Sequence, residues 1–184
     1  MKRQLLYLSI IFLLLTPAIG QKRSLQIGGK IINELTFYNG YTPGGGIQAI
    51  YRIGKHGGIE SGVYYKIRRR DYFLQTINGI LVVEEVTERN IIIPFLYRFD
   101  SKHINFTIGP AVEFFLGWKV KKTNYNDLTG YRAENPELIS TASVSRNFNL
   151  PNNWIFEPEL RFSAFVPRGD GGFGLNFSFR KKLH

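Results

Sequence analysis

The sequence predicts an all-β protein, an eight-stranded antiparallel up-and-down transmembrane β-barrel. Three observations lead to this fold class. Segments with a period of two place bulky apolar residues on one face and small, polar or charged residues on the other. Short and long connections alternate along the chain, as they do in bacterial outer-membrane barrels. Beyond residue 20, no stretch is apolar enough for a membrane-spanning helix, which needs about 20 residues.

The first 20 residues have the layout of a secretory signal peptide. Lys2 and Arg3 precede an apolar run, and Pro17 and Gly20 belong to a helix-breaking end with small residues. We expect cleavage after Gly20, so that residues 21–184 form a single barrel domain. The chain has no cysteine, which excludes a disulfide framework and a lipid-modified N-terminal cysteine.

Eight segments rich in Phe, Tyr, Ile, Val and Gly are the predicted strands. They are residues 25–33, 45–53, 58–69, 89–99, 103–119, 137–148, 154–166 and 172–181. The gaps 54–57, 100–102 and 149–153 are short and rich in turn residues. The last gap, 167–171, is also short, although the alternation calls for a long connection there. The gaps 34–44, 70–88 and 120–136 are long. With both termini in the periplasm, these long gaps become extracellular loops.

The alternation within each strand predicts which face meets lipid. Residues 154–166, WIFEPELRFSAFV, are apolar at every second position, and the other face carries three charges. In the fifth strand the apolar face runs over alternate residues from Ile104 to Trp118. An eight-stranded barrel has an interior just wide enough for side chains. We therefore expect the small and polar faces inside and the bulky apolar faces outside. The alternative is a soluble barrel with an oily interior, such as a lipocalin.

The inward faces carry charges of both signs, which a closed interior tolerates only when they are paired or hydrated. We predict that they form an ion-pair network in the lumen. Its members are Arg52, Glu60, Lys66, Arg98, Glu113, Glu157, Glu159 and Arg161. Pro94, Pro110 and Pro158 lie within predicted strands, although proline cannot donate to a ladder. We expect local bulges at these prolines.

Several stretches resemble the outer-membrane β-barrel domain family common in Bacteroidota, which includes small, eight-stranded, PorT-like barrels. They are the Gly20-Gln21 junction and residues 47–70, 90–118 and 172–182. Pro94 followed by Tyr97 and Phe99 is similar to the fourth strand of that family, and Gly109-Pro110 fits its next strand. The resemblance implies an eight-stranded barrel and brings no catalytic motif. The basic tail after Phe179 departs from the aromatic ending that such barrels often have.

The sequence indicates no catalytic, cofactor-binding or metal-binding site. GDGGFG at 169–174 matches a dinucleotide-binding pattern in spelling, but it leads into a strand, whereas such a site leads into a helix. His56, His103 and His184 lack the spacing of metal ligands. We expect Glu157 and Glu159 to belong to an internal ion-pair network and not to an acid–base pair.

A basic patch is the most specific functional feature of the sequence. Its members are Arg68, Arg69, Arg70, Arg89, Lys119, Lys121 and Lys122, which lie at the outer ends of three neighbouring strands. Lipopolysaccharide phosphates lie at that height, and Arg and Lys suit charge-assisted contacts to phosphate. We predict phosphate contacts here, with an ordinary solvated rim as the alternative.

The formal net charge of +10 favours anionic partners, and export excludes nucleic acid. We expect an integral protein of the bacterial outer membrane, non-enzymatic, with an envelope-structural, surface-interaction or secretion/assembly-complex role. Its expected partners are outer-membrane lipid, lipopolysaccharide, the barrel-assembly machinery and other envelope proteins. The alternatives are a lipid-modifying barrel enzyme and a secreted soluble ligand-binding barrel.

Overall fold

A computed structural model describes residues 24–37, 40–75, 81–120, 136–166 and 171–183. The predicted signal peptide, together with 121–135 of the predicted third loop, lies outside the described residues. The strands are β1 (Ser24–Thr36), β2 (Gly40–Arg52), β3 (Gly57–Gln75), β4 (Leu81–Asp100), β5 (Asn105–Val120), β6 (Glu137–Ser145), β7 (Phe148–Asn149), β8 (Trp154–Val166) and β9 (Gly171–Leu183). Within these ranges, no helix has both the length and the apolar character to cross a membrane.

The strands form one closed antiparallel barrel of eight long strands. Each strand from β1 to β5 pairs with the next strand in the chain, β8 pairs with β9, and β9 pairs with β1. Pairing of β6 with β8 closes the cylinder. The two-residue β7 continues the line of β6 and pairs with the start of β8. The predicted fold class is therefore confirmed.

The two ends of the barrel differ. At one end, here called the turn end, tight connections at 53–56, 101–104 and 150–153 join the strands. The opposite end, here called the hairpin end, is where the β1–β2 ladder ends at Thr36↔Gly40 and the β3–β4 ladder ends at Gln75↔Leu81. The strands at the hairpin end are longer than predicted, because the ladder continues to Thr36↔Gly40 and to Gln75↔Leu81.

Two of the three predicted long loops are consequently wrong in extent. Most of 34–44 and of 70–88 is paired strand. The β3–β4 ladder extends beyond the ends of the ladders that these strands form with β2 and β5. The sequence suggested loops because Gly and Pro cluster at 40–46 and charges cluster at 68–71 and 84–89. Pairing satisfies the backbone hydrogen-bonding groups whatever the side chains are. The ladder between β2 and β3 ends at Gly44↔Lys66, one residue short of Pro43, which has no amide hydrogen to donate.

The barrel is apolar outside and polar inside. Exposed side chains on the outer wall include Ile47, which is 66% exposed, Ile108 at 64% and Phe106 at 49%. Side chains on the lumen face include Glu60, Arg98 and Arg180, each 0% exposed. This burial excludes the oily interior of a lipocalin-like barrel, because the centre is filled with charges and amides.

A one-residue bulge changes the faces at the end of β5. The register passes from Asn90↔Phe115 to Arg89↔Gly117, which leaves Leu116 without a partner on β4. Trp118 then lies opposite the buried Glu88 on the inner face, and Lys119 is exposed outside. The prediction that Trp118 belongs to the lipid face is wrong, because one extra residue reverses the alternation beyond it.

The prolines do not mark bulges. The register on both sides of Pro110 is unbroken, with Gly109↔Thr141 and Ala111↔Ile139. Pro158 sits opposite Phe177 in an unshifted ladder. At Pro94 the Ser61 hydroxyl donates to the proline carbonyl at 2.8 Å. The only register shift recorded between described strands is the one at Leu116. The prolines are therefore accommodated without an extra residue.

The inverted burial predicts that a charged and an apolar substitution of Ile47, in the middle of β2, differ in their effect on stability. We expect Ile47→Arg to destabilise the barrel in bilayers by about 2–4 kcal/mol, the cost of a cation on a lipid-facing strand near the midplane. Ile47→Leu is the matched control and should change the free energy of unfolding by less than about 1 kcal/mol. Urea titration of the protein folded in lipid vesicles measures both. Equal stability of the two variants would contradict a lipid-facing outer wall.

Candidate functional site: a closed polar lumen and two basic rims

Arg98 organises the lumen at the turn end. Its Nε donates to Asp100 Oδ1 at 2.8 Å, its Nη1 to Glu60 Oε2 at 3.0 Å, and its Nη2 to Glu157 Oε1 at 2.5 Å. Glu157 also accepts from Arg180 and from the Ser145 hydroxyl. One guanidinium thus connects carboxylates on β3, β4 and β8 across the interior of the barrel.

A second cluster lies next to the first, on the side of the hairpin end, and the two clusters share Glu60. Lys30 Nζ donates to Glu159 Oε2 at 2.6 Å and to Glu60 Oε1 at 3.3 Å. Arg161 Nε donates to Glu159 Oε1 at 2.7 Å, and its Nη2 lies 3.7 Å from Glu60 Oε1. Each of these four side chains is at most 5% exposed. The two clusters form one continuous ionic layer.

A small apolar layer separates this network from the hairpin end. Ile32, Tyr64, Ile92, Ala111 and Ile139 are buried together there. A small cavity borders this layer, and its polar lining includes Lys66 and Arg161. Gly62 makes room for the ring of Tyr64, because a Cβ at that position would lie 2.9 Å from the phenol oxygen. Buried side chains therefore occupy the lumen at the ionic layer and at this apolar layer.

The hairpin end of the lumen holds further ion pairs. Lys66 Nζ donates to Glu34 Oε2 at 2.5 Å. Arg68 Nη2 lies 2.7 Å from Glu113 Oε1, and Arg68 Nη1 lies 3.9 Å from Glu88 and 3.6 Å from Glu137. Because these charges are buried, their pairing is what makes the closed interior tolerable.

The structure places seven of the eight residues predicted for the network on the lumen face and buried, and Arg52 at its turn-end mouth. Five predicted acids and bases meet directly: Glu60 and Glu157 with Arg98, and Glu159 with Arg161. The other predicted members take partners that sequence reasoning missed. Lys66 pairs with Glu34, Glu113 with Arg68, and Arg52 with Asp100 at 3.1 Å.

Lys30, Glu34 and Arg180 are the most consequential omissions. The alternation of β1, in which Lys30, Ile32 and Glu34 share one face, was the signal that would have found the first two. Glu34 falls within the predicted loop 34–44, whereas the structure places it in β1 with its side chain buried. Arg180 lies on the inner face of the last strand, where it pairs with Glu157.

The predicted basic patch is only partly outside the barrel. Arg68 is wrong as a lipopolysaccharide contact, because its side chain is 2% exposed and bound to Glu113 inside the lumen. Arg69, Arg89 and Lys119 are exposed. The side chain of Arg70 lies outside the described part of the structure, as do Lys121 and Lys122.

The three exposed members form one surface, here called the hairpin-end patch. Arg69 on β3 and Lys119 on β5 both lie opposite Thr87 on β4, so two strand spacings, about 10 Å, separate them. Arg89 lies on the same face of β4, two residues from Thr87. The bulge at Leu116 creates this patch, because it turns Lys119 outward.

Two histidines lie at the turn end, where they have structural contacts. His56 Nδ1 lies 2.9 Å from the Asp100 carbonyl oxygen, and its ring stacks on Phe99 with centroids 5.8 Å apart. Across the described ranges, no three His, Asp or Glu side chains converge as metal ligands would. The absence of a catalytic, metal or cofactor site remains a prediction.

A closed eight-stranded barrel with an apolar wall, a charged lumen and tight turns at one end has the fold of the outer-membrane β-barrels. Solved structures that are similar to this chain include Neisserial surface protein A, with a TM-score of 0.49 and 14% identity over 88% of this chain and 97% of that chain. Another is the attachment invasion locus protein Ail of Yersinia pestis in complex with sucrose octasulfate, with a TM-score of 0.43 and 10% identity over 88% and 97%. No family model matches the sequence, and neither does any curated protein.

The ionic layer predicts unequal effects at two arginines that both contact Asp100. Arg98→Gln leaves Glu157 and Glu60 without a buried cation and should lower the free energy of unfolding by about 3–5 kcal/mol. Arg52→Gln is the matched control. Its side chain is 26% exposed, so the loss should stay below about 1 kcal/mol. Denaturant titration in detergent micelles measures both, and similar losses would contradict the network.

Proposed function

We propose that the chain is an integral outer-membrane protein that acts without catalysis, as a structural or surface-interaction component of the cell envelope. The observation that carries this proposal is the inverted burial of the barrel. A wall of exposed Ile, Leu, Phe and Val surrounds a lumen of paired charges. Monomeric soluble proteins rarely expose contiguous apolar patches larger than a few hundred Å².

The height of the apolar wall supports a membrane position. The outward apolar residues of β1 extend from Leu25 to Leu35, interrupted only by Gly29 and Asn33, and those of β9 occupy alternate positions from Phe173 to Phe179. A strand that crosses a bilayer needs about 9–11 residues. Because the barrel is closed, its backbone polar groups are paired with neighbouring strands, as a hydrocarbon environment demands.

The difference between the two ends supports an orientation with the hairpin end outward. Outer-membrane barrels have short periplasmic turns and longer extracellular loops. The turn end has the tight connections, and both described ends of the chain, Ser24 and Leu183, lie there. The β3–β4 hairpin would then project from the cell surface and offer a site for envelope partners.

Transport of bulk solutes is not the activity we propose. The ionic layer around Arg98 and Glu159 and the apolar layer around Tyr64 fill the cross-section of the lumen. Eight strands leave an interior that side chains can fill. The wall and its hairpin end are therefore the surfaces on which we expect this protein to act.

The hairpin-end patch supports contact with lipopolysaccharide phosphates in the outer leaflet. Arg69, Arg89 and Lys119 face away from the lumen, toward the level at which outer-leaflet headgroups would lie. Arg and Lys are the side chains best suited to phosphate. Membership of the Bacteroidota family that the sequence resembles is part of this proposal, and contact with the barrel-assembly machinery follows from membrane insertion.

Cysteine labelling tests both the location and the orientation, because the natural chain has no cysteine. We expect Phe37→Cys, at the hairpin end, to react with a membrane-impermeant maleimide on intact cells. Lys102→Cys, at the turn end, should react only after the cells are lysed. Both variants should appear in the outer-membrane fraction and migrate faster on gels when unheated. Recovery of the folded protein in the soluble fraction would refute the proposal.

Substitution of the hairpin-end patch tests the lipopolysaccharide contact. We expect the triple variant Arg69→Gln, Arg89→Gln and Lys119→Gln to retain less lipopolysaccharide on purification than the natural protein, because three phosphate-binding cations are lost. The control variant Arg69→Lys, Arg89→Lys and Lys119→Arg keeps all three positive charges and should retain lipopolysaccharide. Unchanged retention at equal stability would remove this contact.

A lipid-modifying enzyme is the competing function. It would alter the lipid A of a strain that overproduces the protein, and mass spectrometry of extracted lipid A detects such a change. We expect an unchanged lipid A profile.

A further inference from the structure

The charges of the barrel are segregated by sign. Every acidic side chain that the structure describes is buried or half-buried, and all of them face the lumen or its mouths. The exposed charges among the described side chains are all basic. They are Lys55, Arg69, Arg89, Lys102, Lys119, Arg146, Lys181 and Lys182. Among the side chains that the structure describes, the exposed charge on the outer surface is therefore positive.

Four of these cations encircle the turn end and are here called the turn-end ring. Lys55 lies in the turn between β2 and β3, and Lys102 lies in the turn between β4 and β5. Arg146 lies between β6 and β7, and Lys181 lies near the end of β9. Following the strand order around the barrel, a cation occurs at about every second strand, so the ring is spread around the circumference.

Aromatic side chains adjoin the ring on the apolar wall. The guanidinium of Arg146 lies 5.4 Å from the centroid of the Phe148 ring. Phe148, Phe156 and Phe179 lie side by side on neighbouring strands. Lys181 lies directly opposite Trp154, which is 41% exposed.

A second aromatic group lies on the opposite side of the barrel. Tyr97 is 55% exposed and Phe99 is 42% exposed, and both lie near the turns that hold Lys55 and Lys102. Aromatic residues next to cations are typical of the boundary between lipid chains and headgroups. This boundary fixes the height of the ring at the level of the headgroups.

We propose that the turn-end ring binds the phosphate groups of anionic phospholipid headgroups in the leaflet that surrounds the turn end. The inference rests on the proposed membrane position, and it adds the lipid class that this end selects. Basic residues near a membrane surface attract anionic lipid. The ring is separate from the hairpin-end patch, which lies at the opposite end of β3, β4 and β5. In the orientation proposed above, this is the periplasmic leaflet.

Tryptophan quenching by brominated lipid tests the ring directly. Trp154 and Trp118 are the only tryptophans, so Trp118→Phe leaves Trp154 as the reporter beside Lys181. The protein is folded into phosphatidylcholine vesicles that contain phosphatidylglycerol, and either lipid carries the bromine. We expect phosphatidylglycerol to be enriched around Trp154 by about threefold or more at low salt. The enrichment should disappear near 1 M salt, where the Debye length is about 3 Å.

The ring variant carries Lys55→Gln, Lys102→Gln, Arg146→Gln and Lys181→Gln. In this variant the preference for phosphatidylglycerol around Trp154, measured as its fold enrichment, should fall to about one. A second variant leaves Arg146 on Phe148 and changes only the three lysines to Gln, and it should lose most of the preference. Changing the same lysines to Arg should retain the preference. Gln at Arg69, Arg89 and Lys119 is the matched control at the other end and should leave quenching of Trp154 unchanged.

Two results would contradict the binding of anionic phospholipid by the turn-end ring. One is that both brominated lipids quench Trp154 equally in an inserted barrel whose four ring residues are unchanged. The other is an unchanged preference in both ring variants. Failure of the chain to insert into vesicles, seen as the absence of heat-modifiable gel mobility, contradicts the proposed membrane function itself, so the two failures are distinguishable.

Discussion

The pairing of buried charges across the lumen is the constraint on which the structure depends. An uncompensated charge in such an interior costs several kcal/mol, whereas a paired and hydrogen-bonded charge is tolerated. Arg98 shows how the barrel meets this constraint, because it contacts carboxylates on β3, β4 and β8 at the same time. The contact with Glu157 connects β4 with β8, which are not neighbours in the sheet, so closure of the barrel and formation of the ionic layer depend on each other.

This constraint accounts for the division of charge between the inside and the outside. The described acids are used as lumen partners for Lys30, Lys66 and the buried arginines, which leaves the exposed cations in excess. The exposed charges that the structure describes at both rims are basic as a result, and the apolar wall lies between the rims. Lumen glycines such as Gly62 complete the arrangement, because the interior has room for large paired side chains only where other positions are small.

Two local features of the backbone pairing, a bulge in β5 and the early end of the β2–β3 ladder, determine the surface of the hairpin end. One extra residue, Leu116, moves Lys119 to the outer surface and Trp118 to the inner face. The end of the β2–β3 ladder near Pro43 lets the β3–β4 hairpin continue beyond its neighbours. The surface features of the hairpin end are therefore set by the backbone register as much as by composition.

The sequence by itself determined the barrel, its strand number and its inverted faces, because a period of two is a local property that each strand displays independently. It also placed Glu157, Glu159 and Arg161 inside. Only the tertiary structure decided which charges meet, since Lys30 and Glu159 are distant in the chain and become neighbours only when the cylinder closes. The same holds for the bulge at Leu116 and for the paired positions 34–36 and 40–44, because hydrogen bonding to a neighbouring strand, and not side-chain character, determines where a strand ends.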